Sequence, residues 1–315
     1  MNAIADGTNA MEHSAAVVWL GDSACHDPRS TGGKAAALSR LAERYVVPHG
    51  FCVTSTAFAG ITPPVRLPSW LCDRVLAAYG ALLATNSPVA VRSSAVDEDG
   101  ALASFAGVHE TYLNVRGDEA LLAAIERCAE SFFSPRADSY RQQRGAEYGA
   151  FEDVRMAILV QQQIASDVSI VAFSANPVTS RRGEVVVTAS WGLGESVVGG
   201  TVTPDTWIVD QGGERLRQEQ IGDKRRMTVA TEGGSREVDV PRVLRQVPSL
   251  AWEQVSEVAR MATQLEQEAG YPVDIECAYA GDRLYLLQCR PITTLPPGDD
   301  RADLFHSARY ECSGQ

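Results

Sequence analysis

Four polar residues near the end of the chain could do metal and phosphate chemistry together. Asp274 and Glu276 lie on one apolar run, and Gln288 and Arg290 lie on the next. Carboxylate and amide oxygens are hard donors that suit Mg2+, which takes one or two protein groups and fills its shell with substrate phosphates and water. A guanidinium is a planar fork matched to phosphate. The two runs flank Gly281-Asp282, so an antiparallel hairpin would bring the four side chains together. Polarity selects the register. A two-residue loop sets Glu276 opposite Leu287 and mixes charge with leucine on one face. A three-residue loop, Gly281-Asp282-Arg283, pairs Glu276 with Gln288 and Asp274 with Arg290. It sends Ile275, Cys277, Tyr279, Tyr285, Leu287 and Cys289 to the core side. A one-residue slip would flip every side chain, so the second register is preferred. On these residues alone, a surface hairpin with an exposed salt bridge is an equal alternative.

Three upstream segments could meet an anion. Gly32-Gly33-Lys34 puts small residues and a lysine at a helix start, where backbone N–H groups and the helix dipole favour negative charge. Arg92-Ser93-Ser94 ends a short apolar strand and offers a guanidinium with two hydroxyls. Ser104-Phe105-Ala106-Gly107 has little bulk, so its backbone could lie close over a ligand, with Thr111 just beyond. Each segment has an ordinary alternative: a turn with a solvated lysine, a salt-bridged strand end, a surface loop. Gly192, Gly194, Gly199 and Gly200 do not make a dinucleotide fingerprint, because their spacing is wrong and no βαβ unit surrounds them.

The elements that must position these groups follow from periodicity. Ala15–Leu20, Gly50–Thr54, Pro88–Arg92, Val154–Gln163, Glu184–Ala189, Thr206–Asp210, Leu216–Ile221 and Arg226–Val229 read as strands. Residues 31–43, Trp70–Thr85, Glu119–Arg144 (one helix or two) and Ser249–Ala269 read as helices, and Thr231–Arg236 reads as a polar turn. Residues 1–14 read as a loose leader, 97–107 as a flexible loop and 295–315 as a polar tail. Helices mixed with mainly antiparallel strands point to an α+β fold.

The chain has 315 residues, 45% of them hydrophobic, with a net charge of −12. That charge argues against nucleic acid or an anionic membrane as a partner, while leaving room for a local basic pocket. The seven cysteines form no C-x-x-C pair, so neither a zinc site nor a disulfide framework is expected. No run of 18 apolar residues and no basic-then-apolar leader is present, which reads as a cytoplasmic protein. Only two of the basic residues are lysines, Lys34 and Lys224.

Taken in order, the segments resemble the ATP-binding domain of the phosphoenolpyruvate synthase, pyruvate phosphate dikinase and rifampicin phosphotransferase family. The blocks are Gly32–Ala36, Val91–Ala95 with Asp97-Glu98-Asp99, Ser104–Gly107 leading to Glu110–Asn114, and Leu159-Val160-Gln161. Phe173–Thr179, Ala189–Glu195, Asp274–Glu276 and Leu287–Thr293 follow. Any one block is weak, but the ordered set across residues 28–294 is specific.

The resemblance implies a bilobal ATP-grasp fold with mixed or antiparallel sheets and ATP between lobes, here residues 15–113 and 114–294. It implies that Lys34 and Arg92 hold phosphates, that Gly107 and Thr111 form a covering loop and that Gln161 lies at the adenine end. Glu195 joins the nucleotide site, Glu276 and Gln288 hold Mg2+, and Arg290 reaches the reacting phosphates. Lys224 falls at a family-like basic position. Two departures stand near the transferred phosphate. Ser169-Ile170-Val171 replaces Ser-Gly-Val, and Thr188 stands where an acidic residue often precedes the Trp-Gly block.

Longer family members continue into a domain whose histidine carries the phosphoryl group. None of His13, His26, His49, His109 or His306 lies in that context. His109 alone falls inside a block, where a neutral hydrogen-bonded histidine is the ordinary reading. The expected function is an ATP-dependent phosphotransferase that passes a phosphoryl group to a small-molecule acceptor or to a carrier histidine on a partner protein. A non-catalytic nucleotide-binding module and an ATP-grasp ligase acting through an acyl phosphate are the alternatives.

Overall fold

The computed structural model describes residues 15–82, 88–95, 111–133, 156–194, 200, 202–231, 234–293 and 295. The leader, the 97–107 loop, Gly107, His109, Glu195 and His306 lie outside the described residues.

Two sheets organise the chain. The first contains β1 (Val17–Trp19), β2 (Gly50–Val53), β3 (Val89–Ala95), β4 (Thr111–Val115) and β5 (Met156–Gln162), in the order β1-β2-β5-β3-β4. The second contains β6 (Val168–Phe173), β7 (Glu184–Trp191), β8 (Asp205–Asp210), β9 (Leu216–Gln220), β12 (Val273–Ala280) and β13 (Arg283–Pro291), in the order β13-β12-β6-β7-β8-β9. A separate hairpin pairs β10 (Arg226–Thr231) with β11 (Gly234–Asp239). All of these ladders are antiparallel. This is the two-lobed α+β arrangement the resemblance implies. The expected lobe boundary at 113/114 falls inside β4, and β5 pairs with the first sheet.

Four α-helices cover the sheets among the described residues. α1 (Pro28–Leu41) begins with Pro28 after Asp27, whose side chain accepts from the Arg29 N–H and caps the first turn. α2 (Ser69–Leu82) and α3 (Asp118–Ser131) pack on one face of the first sheet. Leu71, Val75, Tyr79, Leu121 and Ile125 meet Phe51, Val53, Val91, Ile158 and Val160 there. The opposite face, with Cys52, Ala157 and Leu159, joins Ala35 and Leu38 of α1 and the second sheet's Ile170, Val187 and Ile275 in a second core. β5 is therefore buried on both faces, which is why its sequence is an uninterrupted apolar run. α4 (Trp252–Ala269) turns Val255, Val258, Ala259, Ala262 and Leu265 into the second core, the spacing of one helical stripe. No described helix is long and apolar enough to cross a membrane.

Three sequence expectations need correction. Residues 234–236 belong to β11, not to a turn; the strand is half-exposed and polar, so it carries no apolar signal. β6 was not anticipated as a strand. α4 starts at Trp252, not Ser249, because both the Ser249 N–H and its hydroxyl donate to buried Asp205, each at 2.7 Å.

Candidate nucleotide and metal site

The hairpin of β12 and β13 pairs Glu276 with Gln288 and Asp274 with Arg290, as polarity requires. Its loop differs from the expectation. Ala280 pairs with Arg283, so the loop is the two residues Gly281-Asp282, and the register shifts between Glu276 and Cys277. Leu287 is the extra residue of a β-bulge. Beyond the bulge the faces are exchanged: Leu284 and Leu286 enter the core, while Tyr285 and Leu287 do not. Two consecutive leucines in an otherwise alternating strand were the available signal. Bulges re-aim backbone groups next to functional sites, and here the Leu287 carbonyl is turned to meet Arg92.

Arg92 crosses from the first sheet to the second. One Nη donates to the Leu287 carbonyl at 3.1 Å. The other donates to Gln288 Oε1 at 2.8 Å and lies 3.4 Å from Glu276 Oε2. Gln288 is buried, and the Arg92 and Glu276 side chains are only 14% and 19% exposed, so this pair is well shielded from water. Thr111 pairs with Arg92 across β3 and β4.

Lys34 enters from α1. The chain breaks helical geometry at Gly32 (φ 75°, ψ 167°), and the helix resumes at the glycine before Lys34. Only glycine suits this position: a Cβ would lie 1.8 Å from the Ser94 carbonyl oxygen. The close approach lets Ser94 Oγ donate to the Thr31 carbonyl at 2.8 Å and accept from the Ala35 N–H at 3.1 Å. Lys34 Nζ donates to the Ser93 carbonyl at 3.4 Å, one residue from Arg92. We expect Gly32→Ala to lower unfolding free energy by about 2 kcal/mol or more, from strained backbone alone. On the expectation that Lys34 holds a phosphate, nucleotide binding should weaken as well, because Lys34 moves. Gly80→Ala, on an exposed helical position with open space around it, should leave both nearly unchanged or slightly stabilise the protein. Urea midpoints and nucleotide titration of the two variants check this pair.

Arg290 is clamped from behind. Its Nε and one Nη each lie 2.8 Å from Asp274 Oδ2. Burial pushes the Asp274 carboxyl above its usual range; the charge and hydrogen bonds of Arg290 oppose this, and Glu276 adds to it. Asp274 Oδ1 is buried without a hydrogen-bond partner.

Arg92, Glu276 and Gln288 thus come together, with Lys34 on the carbonyl next to Arg92, Thr111 opposite Arg92 in the ladder and Arg290 one pleat further along the hairpin. Gln161 is buried on β5 and spends its amide N–H on the Pro48 carbonyl at 3.1 Å. Lys224 does not join them. Its ammonium is fully buried, paired with Asp205 and donating to the Gly222 carbonyl at 3.2 Å. Asp205 also accepts from the Gly222 and Ser249 N–H groups and the Ser249 hydroxyl. This hub ties three segments of the second lobe.

The two departures separate cleanly. Ile170 faces the core, opposite Cys277 and Ala189. Thr188 pairs with Val171, which pairs with Glu276, so all three share the sheet face that carries the site. Gly192 (φ 82°) seats β10: a Cβ there would be 2.3 Å from the Thr228 carbonyl, which accepts from the Leu193 N–H. Contacts that the sequence did not indicate also tie β4 to the β10–β11 hairpin. Asn114 of β4 (φ 54°) donates from its side chain to the Thr231 and Gly234 carbonyls at the end of the β10–β11 hairpin. Its backbone N–H donates to Gln163.

For a divalent cation the donor set fits. The Glu276 and Gln288 oxygens converge on one positively charged nitrogen. Among the described residues no group of three or more His, Cys, Asp or Glu gathers into a cage. Such a sparse set is what Mg2+ uses when phosphates complete its shell.

Between its two sheets the protein therefore gathers Arg92, Glu276 and Gln288 in one shielded cluster. Residues 60–304 match the family described as pyruvate phosphate dikinase, AMP/ATP-binding domain, and the chain belongs to that family. A probable phosphoenolpyruvate synthase of Methanocaldococcus jannaschii is 33% identical over 90% of this chain and 27% of its own length. The phosphoenolpyruvate synthase of Pyrococcus furiosus is 41% identical over 73% of this chain and 29% of its own. A rifampicin phosphotransferase of Streptomyces sp is 36% identical over 86% of this chain and 35% of its own. The chain spans about a third of the length of these relatives.

Proposed function

We propose that the chain is the ATP-cleaving part of a phosphotransferase of the phosphoenolpyruvate synthase and pyruvate phosphate dikinase type. It binds Mg-ATP between its two lobes and passes a phosphoryl group to a small-molecule acceptor or to a carrier histidine on a partner. The observation that carries this reading is the meeting of Arg92 from one sheet with Glu276 and Gln288 from the other. Membership of an AMP/ATP-binding family and the names of the relatives support it.

In this reading Lys34 and Arg92 hold the phosphates, and Glu276 and Gln288 hold Mg2+. When bound, the metal would offset negative charge that develops on the phosphates in transfer. Thr111 and Gly107 cover the nucleotide, Gln161 lies towards its adenine end, and Glu195 completes the set. Asp274 fixes the plane of the Arg290 guanidinium so that it faces the reacting phosphate without reorganising, which is where electrostatic catalysis gains most. A loose phosphoryl transition state needs positioning and charge neutralisation above all. A cytoplasmic setting, where Mg-ATP is supplied, belongs to this proposal.

The test is transfer of label from γ- and β-labelled ATP, with and without cell extract. Label on a small molecule supports direct transfer, and label on a second polypeptide supports a carrier. Binding of ATP with no labelled product and no hydrolysis would favour a non-catalytic module.

A further inference from the structure

Arg92 is positioned as both a phosphate ligand and a cation in its own right. Its Nη2 sits 2.8 Å from Gln288 Oε1 and 3.4 Å from Glu276 Oε2, the two oxygens assigned above to the metal. The Leu287 carbonyl, aimed by the bulge, holds the other Nη at 3.1 Å. Resting on the functional reading above, we propose that Arg92 occupies the metal position between these oxygens. The site then discriminates against free divalent cations and admits the metal only together with a nucleotide.

Two facts make the exchange favourable in one direction only. Mg2+ requires oxygens at about 2.0–2.1 Å in near-octahedral order. A guanidinium nitrogen between the same two oxygens fills that space, and its charge repels a second cation. The metal alone must therefore displace Arg92 and leave a shielded guanidinium without two of its three acceptors, which is a large penalty. A nucleotide changes the balance by offering phosphate oxygens, to which a guanidinium binds strongly. Arg92 Nε, buried and without a hydrogen-bond partner in the present pose, gains from the move as well. As Arg92 turns to the phosphates, Glu276 and Gln288 lose their cation and can accept Mg2+. Nucleotide and metal then reinforce each other by the same factor in either order of addition, as linkage demands.

The experiment is titration of the full chain with Mn2+, followed by electron paramagnetic resonance of the free ion, with and without a non-hydrolysable ATP analogue. Wild type should bind Mn2+ alone weakly and bind it much more tightly with the analogue. Arg92→Met should bind Mn2+ alone about tenfold or more tighter than wild type, while its analogue affinity falls and the coupling shrinks. Arg92→Lys, which keeps a charge, should stay close to wild type for Mn2+ alone. Arg92→Gln serves as a second neutral variant should Arg92→Met fail to fold. If the neutral variants bind Mn2+ alone no tighter than wild type while Glu276→Gln abolishes Mn2+ binding, the displacement proposal is wrong and the metal site stands. If Glu276→Gln binds Mn2+ like wild type in the presence of the analogue, the functional reading itself is wrong.

Discussion

Replacing Glu276 by glutamine should lower phosphoryl transfer from Mg-ATP by at least about a hundredfold, the scale of losing one preorganised electrostatic contact in a shielded site. The fold should survive. Glu276 is partly exposed, and the neutral amide still reaches Arg92. The loss should appear in kcat and in metal dependence, with thermal unfolding nearly unchanged. Steady-state kinetics across a Mg2+ series, with a melting curve, check this. Wild-type turnover in the variant would remove Glu276 from the site. Arg290→Ala should abolish turnover too, but it is a less clean test, because it leaves the buried Asp274 carboxylate without its cation. Arg290 is 38% exposed, so the cost falls below the roughly 3–5 kcal/mol of breaking a fully buried pair, and protonation of Asp274 can reduce it further. Arg290→Lys keeps the charge, loses the fork, and should lose activity with less effect on stability.

Replacing Lys224 by methionine should have the largest effect on stability and little direct effect on nucleotide binding. Both partners of the Lys224–Asp205 pair are fully buried. Removing the lysine leaves Asp205 charged in the interior with only its N–H and hydroxyl donors, a loss of about 3–5 kcal/mol. That is a large share of the roughly 5–15 kcal/mol by which a domain is usually stable. Adding Asp205→Asn should recover part of the loss, since the amide keeps an acceptor for Gly222 or Ser249 without the charge. Urea unfolding of the single and double variants checks this. A Lys224→Met protein of normal stability with a raised KM for ATP would instead return Lys224 to the nucleotide site.

These two residues show what the sequence could reveal. Glu276, Gln288, Asp274 and Arg290 were legible because they alternate with core residues in paired strands, and alternation has only one solution when one face is buried. The loop length was not legible, because a bulge at Leu287 compensates for a shorter turn, and a bulge depends on packing that local pattern does not record. Lys34 and Arg92 were legible as charges beside small residues, although the contact across sheets that defines Arg92 is a tertiary fact. Lys224 was legible only as a basic residue at a family-like position; its partner Asp205 lies 19 residues earlier, and the burial of that pair is a tertiary fact. The half-exposed strand β11 was hidden for the opposite reason: its side chains meet water, so neither period nor apolarity marks it.

The most direct test of the account is a crystal structure of the chain with Mg2+ and a non-hydrolysable ATP analogue. The expected structure has nucleotide between the two sheets, metal held by Glu276 and Gln288, and the Arg92 guanidinium turned from Gln288 to a phosphate. Nucleotide bound elsewhere, or bound with metal while Arg92 still bridges Glu276 and Gln288, would contradict it.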